Sequence, residues 1–412
     1  GPPHDSFAVV NPKHPEGRYP DPHIAGCMVA WLVCCATHRA MGASGFEACA
    51  LLLDYVALGT VADCVDLGAS VNNRAVVAQG MRQMQYNRAN RACWQVALPE
   101  GPVTADQLGF VLGPRINAAS RTGEAEPALA FLLADDADAA RSAFEALSAA
   151  NNERKGIERA LREQADPAMD AAVEAGAAAC AIVLEHGHAG VNGLVASRVA
   201  QRGNRPALVL SPDAERATLV GSARGVPAVH VREALAAAAE AVPGGVVKFG
   251  GHAGAGGITV RADQADAVCR AFVEAVDAQI GGAHAPAVIE TDGAIETGEC
   301  TAHTYESIRA LEPYGKGFPA PVFTLNAEVS AVRAMGDGTH LSLGLRGGLN
   351  APAVRAVWFG ARASADAPMP LECGDRVEAA ISLSLNRFNP SGRGGARIDC
   401  HIQSLEVLGR GR

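Results

Sequence analysis

At 412 residues the chain is too long for one ordinary hydrophobic core, so two to four domains are expected. Its hydrophobic content of 49% is that of a globular protein, and no apolar run reaches the roughly 18–20 residues that span a bilayer. A net charge of −9 excludes a surface that is basic all over, but leaves room for a local nucleic-acid groove.

Nothing at the start reads as a secretory leader, since neither a basic nor an apolar stretch opens the chain. The eleven cysteines include no CxxC pair, and several (Cys27, Cys34, Cys35, Cys180) sit in apolar runs. Buried reduced thiols of a cytoplasmic protein are expected, not a disulfide framework or zinc site. Lysine occurs only at 13, 155, 248 and 316, so any anion site here is built from arginine forks.

Residues 1–135 are expected to alternate helices with short strand-like stretches. "IAGCMVAWLVCCA" (Ile24–Ala36) suits a buried helix. Asn72–Gln85 reads as an amphipathic helix opening near a capping Asn, and Thr104 as an N-cap. Between them, "YVALGTVADCVDLG" (Tyr55–Gly68) runs into a Gly-Thr turn and then sets Asp63 among apolar residues, with Asp66 following. An acid there is costly to bury unless it is paired, hydrogen-bonded or metal-bound.

Residues 136–175 keep a helical spacing through Phe144, Leu147, Ile157, Leu161 and Met169, interrupted only by Pro167. Such a helix would reach roughly 50–60 Å and is expected to connect domains. Residues 176–282 alternate strands and helices and imply a sheet covered by helices. From 283 to 412 the period becomes two, as in "HLSLGLR", "AVRAVWFG", "RVEAAISLSLNRF" and "ARIDCHIQSLEVL", which suggests a small β-barrel.

Besides Asp63, three stretches carry chemistry. "LGPRINAASRTG" (Leu112–Gly123) offers Arg115, Asn117 and Arg121 as a phosphate-sized donor cluster, or a loop of solvated arginines. "GVNGLVASRVAQR" brings Ser197 and Arg198 into a helix after glycines, although a surface arginine on a helix accounts for the same pattern. "KFGGHAGAGGITV" puts Gly250, Gly251 and His252 in a glycine loop suited to an anion-binding nest. "GSARG" adds Ser222 and Arg224.

In sequence and order, "GTVADCVDL", "LGPRINAASR", "VNGLVASRVAQR", "GSARG", "KFGGHAGAGG" and "LEPYGKGFPAPVF" resemble the RecJ single-strand-specific exonucleases of the DHH phosphoesterase superfamily. The resemblance implies an α/β architecture: an N-terminally truncated DHH-type parallel-sheet domain, a long connector helix, a DHH-associated domain and a C-terminal OB-fold. It also implies 5′-to-3′ hydrolysis of single-stranded DNA in repair and recombination, with two Mn²⁺ or Mg²⁺ ions activating water. Single-strand-binding protein or a helicase would be partners, with no membrane.

By that resemblance Asp63 is a metal ligand and catalytic residue, and His252 belongs to a phosphate-binding signature. Arg115, Asn117, Arg121, Ser197, Arg198, Ser222, Arg224, Gly250 and Gly251 would contact substrate. Arg387, Phe388, Arg393 and Arg397 could guide the strand along the barrel. Ser120, Gly256 and Phe318 depart from residues usual in the family. The family's Asp-His-His signature is absent, so the sequence reads as a RecJ lacking its first part, with weak or no nuclease activity. Two alternatives stand beside this: a binding module that holds single strands without cutting, and a phosphodiesterase for small substrates.

Overall fold

Alanine, leucine and other strong helix formers dominate the first third of the chain, and its backbone is helical. The computed structural model describes residues 8–14, 16–98, 100–122, 125–213, 217–282, 288–348, 350–362, 364–386 and 397–411. The opening helices are α1 (Gly26–Ala40), α2 (Glu47–Ala50), α3 (Leu53–Ala62), α4 (Val71–Asn87), α5 (Ala92–Ala97), α6 (Gly113–Thr122) and α7 (Glu126–Leu132). Among the described residues no strand precedes Cys180, so the strand-like stretches expected there are helical.

Two local readings are corrected by the same logic. Gly59 and Thr60 lie inside α3 and form no turn. The Thr60 hydroxyl donates back to the Val56 carbonyl at 2.7 Å, and Gly59 leaves room for the Cys27 sulfur, which a Cβ would meet at 2.7 Å. The cap of α4 is Ser70, whose Oγ accepts from the Asn73 amide at 3.1 Å. Thr104 caps as expected, exchanging bonds with Gln107 in both directions.

The long helix α8 (Ala137–Glu174) runs 38 residues, about 57 Å, straight through Pro167. It does not span solvent alone. Ala140, Leu147, Leu161, Ala165 and Met169 are buried against neighbouring elements. After it come β1 (Cys180–Val183), α9 (Ala189–Gly203), β2 (Ala207–Pro212), β3 (Thr218–Arg224), α10 (Val231–Ala241), β4 (Val246–His252), β5 (Ala255–Arg261) and α11 (Ala265–Ile280). The chain ends with α12 (Ala302–Arg309), β6 (Phe323–Met335), β7 (His340–Arg346), β8 (Ala353–Trp358), β9 (Arg376–Asn386) and β10 (Arg397–Gly409).

Two compact units result. One takes Gly1–Tyr86, Pro102–Gly109 and Val288–Arg412; the other takes Asn87–Gly101 and Phe110–Ala287. In the second unit the sheet order is β1-β2-β3-β5-β4, with only β1 and β2 parallel. Strand alternation divides its core. Leu208 and Leu210 face α10 and α11 with Leu235 and Phe272, whereas Ala207 and Val209 face α8 and α9 with Met169, Val195 and Val199.

In the first unit β6–β10 close into a five-stranded barrel, antiparallel except where β8 meets β10. Leu325, Val329, Leu343, Val377, Ala379 and Ile381 fill it. Four of its strands are the period-two stretches of the sequence; β6 is the fifth. Among the described residues no helix is long and apolar enough to cross a membrane, and the cysteines are free thiols, with Cys34 exposed.

Candidate nucleic-acid interface

In the second unit, α9 starts where the His188 imidazole accepts from the Gly190 amide at 3.2 Å. Asn192, 1% exposed, then pins the helix to the sheet, donating to Ser211 Oγ at 2.7 Å and to the Val220 carbonyl at 3.2 Å. The next residue, Gly193, faces Arg224 of β3. A Cβ there would lie 2.7 Å from Arg224 Nη2 and 3.5 Å from Ser222 Oγ. Arg121, in the last turn of α6, donates from Nη1 to the Gly190 carbonyl at 3.1 Å.

Two guanidiniums therefore converge on the first turns of α9. Burial, and then the like charge of Arg121, hold Arg224 below its ordinary pKa, although it stays charged at neutral pH. Among the described residues neither arginine has an acidic partner; Arg224 donates to the Ala223 carbonyl. Cations brought together without a counter-charge favour an anion.

The "KFGGHAGAGG" stretch is a hairpin of β4 and β5 and not a loop, because the backbone pairs through its glycines. Arg224, Ala255 and His252 share one register row across β3, β5 and β4. Ser222, Gly257 and Gly250 form another, and Gly251 pairs with Gly256. From Val247 to His252 every residue of β4 is exposed. The glycines leave backbone bare beside the Ser222 hydroxyl. The His252 Nδ1 accepts from the Gly254 amide at 3.2 Å, leaving Nε2 as its donor.

Other predicted residues point elsewhere. The Ser197 hydroxyl donates to the Gly193 carbonyl at 2.9 Å. Arg198 lies 3.7 Å from Glu158 on α8, beside Arg154 at 3.0 Å. Gly113–Thr122 of this stretch form the helix α6 and not a loop, with Pro114 just after a π-helical segment, Gln107–Leu112. It turns Arg115 onto α8, with Nε donating to Ser148 Oγ at 3.0 Å and the guanidinium 5.3 Å from the Phe144 ring centre. Asn117 is half-buried on α6.

In the first unit, Asp63 is the exposed C-cap of α3 and not a buried acid. The buried acid nearby is Asp54. Burial, with the Asp63 charge as a lesser cause, raises the Cys27 thiol pKa. The turn after Asp63 is braced by the stretch Leu311–Phe318: the Leu67 amide donates to the Lys316 carbonyl at 2.7 Å, and Arg74 donates to the Leu311 carbonyl at 2.7 Å. The Arg74 guanidinium also stacks 3.8 Å over the Phe318 ring. Among the described residues no three His, Cys, Asp or Glu side chains gather as metal ligands. One exposed carboxylate does not fit a two-metal centre, so no hydrolytic step is assigned to these residues.

Sequence reasoning missed Asn192, whose only signal was a lone amide in an apolar helix start, and Arg74, an ordinary-looking helix arginine. Arg397 opens β10, bonded to Asp399 at 3.2 Å. Arg387, Phe388 and Arg393 lie outside the described residues.

Family models match the RecJ OB domain over residues 291–398 and the DHHA1 domain over 176–280. The single-stranded-DNA-specific exonuclease RecJ of Dickeya dadantii (strain 3937) is 30% identical over 417 residues, covering 97% of this chain and 70% of that protein. RecJ of Escherichia coli (strain K12) is 30% identical over 414 residues, with the same coverage of 97% and 70%. Crystal structures of RecJ from Thermus thermophilus in complex with Mg²⁺ and with Mn²⁺ match at TM-scores of 0.72 and 0.71, both at 29% identity over 92% of this chain. The chain spans 56% and 53% of those crystallised chains. With nearly its whole length aligned at 30% identity, the chain belongs to the RecJ family of single-stranded-DNA-specific exonucleases.

Proposed function

We propose that this chain holds single-stranded DNA for 5′-to-3′ exonucleolytic phosphodiester hydrolysis, acting in the cytoplasm in DNA repair and recombination. The observation that carries the reading is the convergence on the first turns of α9 of Arg121, bonded to the Gly190 carbonyl, with Arg224 and Ser222, which face Gly193, beside an open glycine-lined strand face. Guanidinium forks grip non-bridging phosphate oxygens, the serine hydroxyl and the His252 imidazole donate to them, and the bare backbone lets the strand come close. The contacts are to phosphate, so they carry no base sequence.

Mn²⁺ or Mg²⁺ is the cofactor expected of an intact enzyme, with Asp63 as one ligand. Single-strand-binding protein or a helicase would deliver the strand. A second reading, a module that holds single strands without cutting, is favoured by the isolation of Asp63 among the described residues. Both readings require strand binding, and they divide at hydrolysis. The test is a Mn²⁺-dependent assay on a 5′-phosphorylated single-stranded oligonucleotide, run beside Escherichia coli RecJ. The expected result is binding with weak or no cleavage by the 412-residue chain. Cleavage at the rate of the relative would overturn the fit argument, and no binding would overturn both readings.

A further inference from the structure

Two thiols meet at one wall of the barrel. Cys300 follows the short turn Thr297–Glu299, in which Glu296 and Glu299 each accept the other's amide, and it precedes Thr301, the cap of α12. Its side chain is half-buried and packs against the barrel core to which Cys400 belongs. Cys400, on β10, is 0% exposed and lies opposite Ala356 of β8. The Cys300 thiol donates to the Glu296 carbonyl at 3.5 Å, and the Cys400 thiol donates to the Cys300 sulfur. That contact holds Cys300 below its ordinary pKa and, together with burial, pushes Cys400 far above it.

Cys300 also lines an open groove of about 730 Å³, together with Arg333, Arg355 and Arg397. Arg355 Nη1 and Arg397 Nε share the one buried carboxylate of Asp399, at 2.6 and 3.2 Å, so this wall keeps a net positive charge. Such a groove draws in small anionic reagents. The pair thus divides as reversible thiol chemistry requires. One thiol is open to a cationic groove, and its partner sits directly behind it, closed to solvent.

We propose that Cys300 and Cys400 form a reversible disulfide, with Cys300 as the thiol that attacks an anionic low-molecular-weight disulfide such as glutathione disulfide. Cys300 gives its proton to solvent and attacks one glutathione sulfur. The glutathione S–S bond breaks, and the first glutathione leaves and takes up a proton. Cys400 then loses its proton and attacks the Cys300 sulfur, expelling the second glutathione, which is protonated in turn. Two protein thiols are oxidised, and one glutathione disulfide is reduced to two thiols. The new bond ties the segment between Thr297 and Thr301 to β10. This inference stands apart from the strand-holding reading, because it uses none of its residues.

The experiment treats the native 412-residue chain with glutathione disulfide, blocks remaining thiols with N-ethylmaleimide and maps the peptides by mass spectrometry. The expected product is a Cys300–Cys400 bond that dithiothreitol removes. Cys400→Ala should instead accumulate a glutathione adduct on Cys300, and Cys300→Ser should leave Cys400 unmodified. The bonded wild type should melt about 5–10 °C higher than the reduced chain, because the bond closes a long loop. Exposed Cys34 reports that the reagent is active. Modified Cys34 with no Cys300–Cys400 bond in wild type would overturn the inference, whatever the variants do. So would a stable glutathione adduct on Cys300 of wild type, since Cys400 would then not resolve it. Modification of Cys400 in Cys300→Ser at the wild-type rate would overturn the role of Cys300 as the attacking thiol.

Discussion

Gly193 and Arg224 meet where a side chain would not fit, since a Cβ on Gly193 would lie 2.7 Å from the Arg224 Nη2 atom. Gly193→Ala should therefore displace Arg224 from α9 and weaken single-strand binding about 5- to 10-fold, the size of one charge-assisted contact. Its stability should hold or rise by up to about 1 kcal/mol, because alanine is the better helix former. Anisotropy titration and thermal melting of the same sample check the split. Loss of both together would point to general damage.

Arg121 and Arg115 stand six residues apart on α6 but should behave differently. Arg121→Ala and Arg224→Ala should each lower the salt slope of single-strand binding by about 0.7, one phosphate contact apiece. Arg115→Ala should leave the slope unchanged and cost about 1 kcal/mol of stability, because its guanidinium is spent on Ser148, Val111 and Phe144. Binding isotherms at several salt concentrations, with denaturant unfolding, separate the two.

Much of this architecture was legible in the sequence. The length of α8 followed from its helical spacing, and β7 to β10 from their alternation. The loop misreading has one cause. Glycine carries no periodic signal, so the stretch from Lys248 to Gly257 read as a loop when most of it is the paired strands β4 and β5. The site was legible only in part. Arg121 and Arg224 were chosen as residues, but they are about a hundred positions apart, and the packing of α9 against both α6 and β3 brings them together. Arg198 matched a motif and instead pairs with Glu158.

Asp375 gives a pH signature. The amides of Glu372 and Gly411, then Arg410, hold its pKa below the ordinary 3.8. A depressed carboxylate stabilises the fold above that value and loses its contribution as pH falls through the lower, folded one. Asp375→Asn should thus be less stable than wild type near neutrality, with the difference shrinking below about pH 4. Thermal melts between about pH 2 and 7 test the sign, and a difference that grows on acidification would contradict it.

Arg74 ties α4 to the stretch before the barrel. Arg74→Ala removes the stacking on Phe318 and the bond to the Leu311 carbonyl, and should cost about 1–2 kcal/mol. Asp63→Asn, at an exposed cap three residues before Asp66, should change stability by less than about 0.5 kcal/mol. Urea unfolding of both variants decides, and a large loss in Asp63→Asn would mean that the carboxylate has a structural partner.

The most direct measurement is the affinity of the 412-residue chain for a 5′-phosphorylated single strand and for its duplex, with wild type and the Arg121→Ala/Arg224→Ala double variant. The predicted result is a clear preference for the single strand in wild type, with single-strand affinity falling about 10- to 100-fold in the double variant, as for the loss of two phosphate contacts. Equal affinity for both forms of DNA, or a double variant that binds the single strand as tightly as wild type, would contradict a strand-holding role for Arg121 and Arg224.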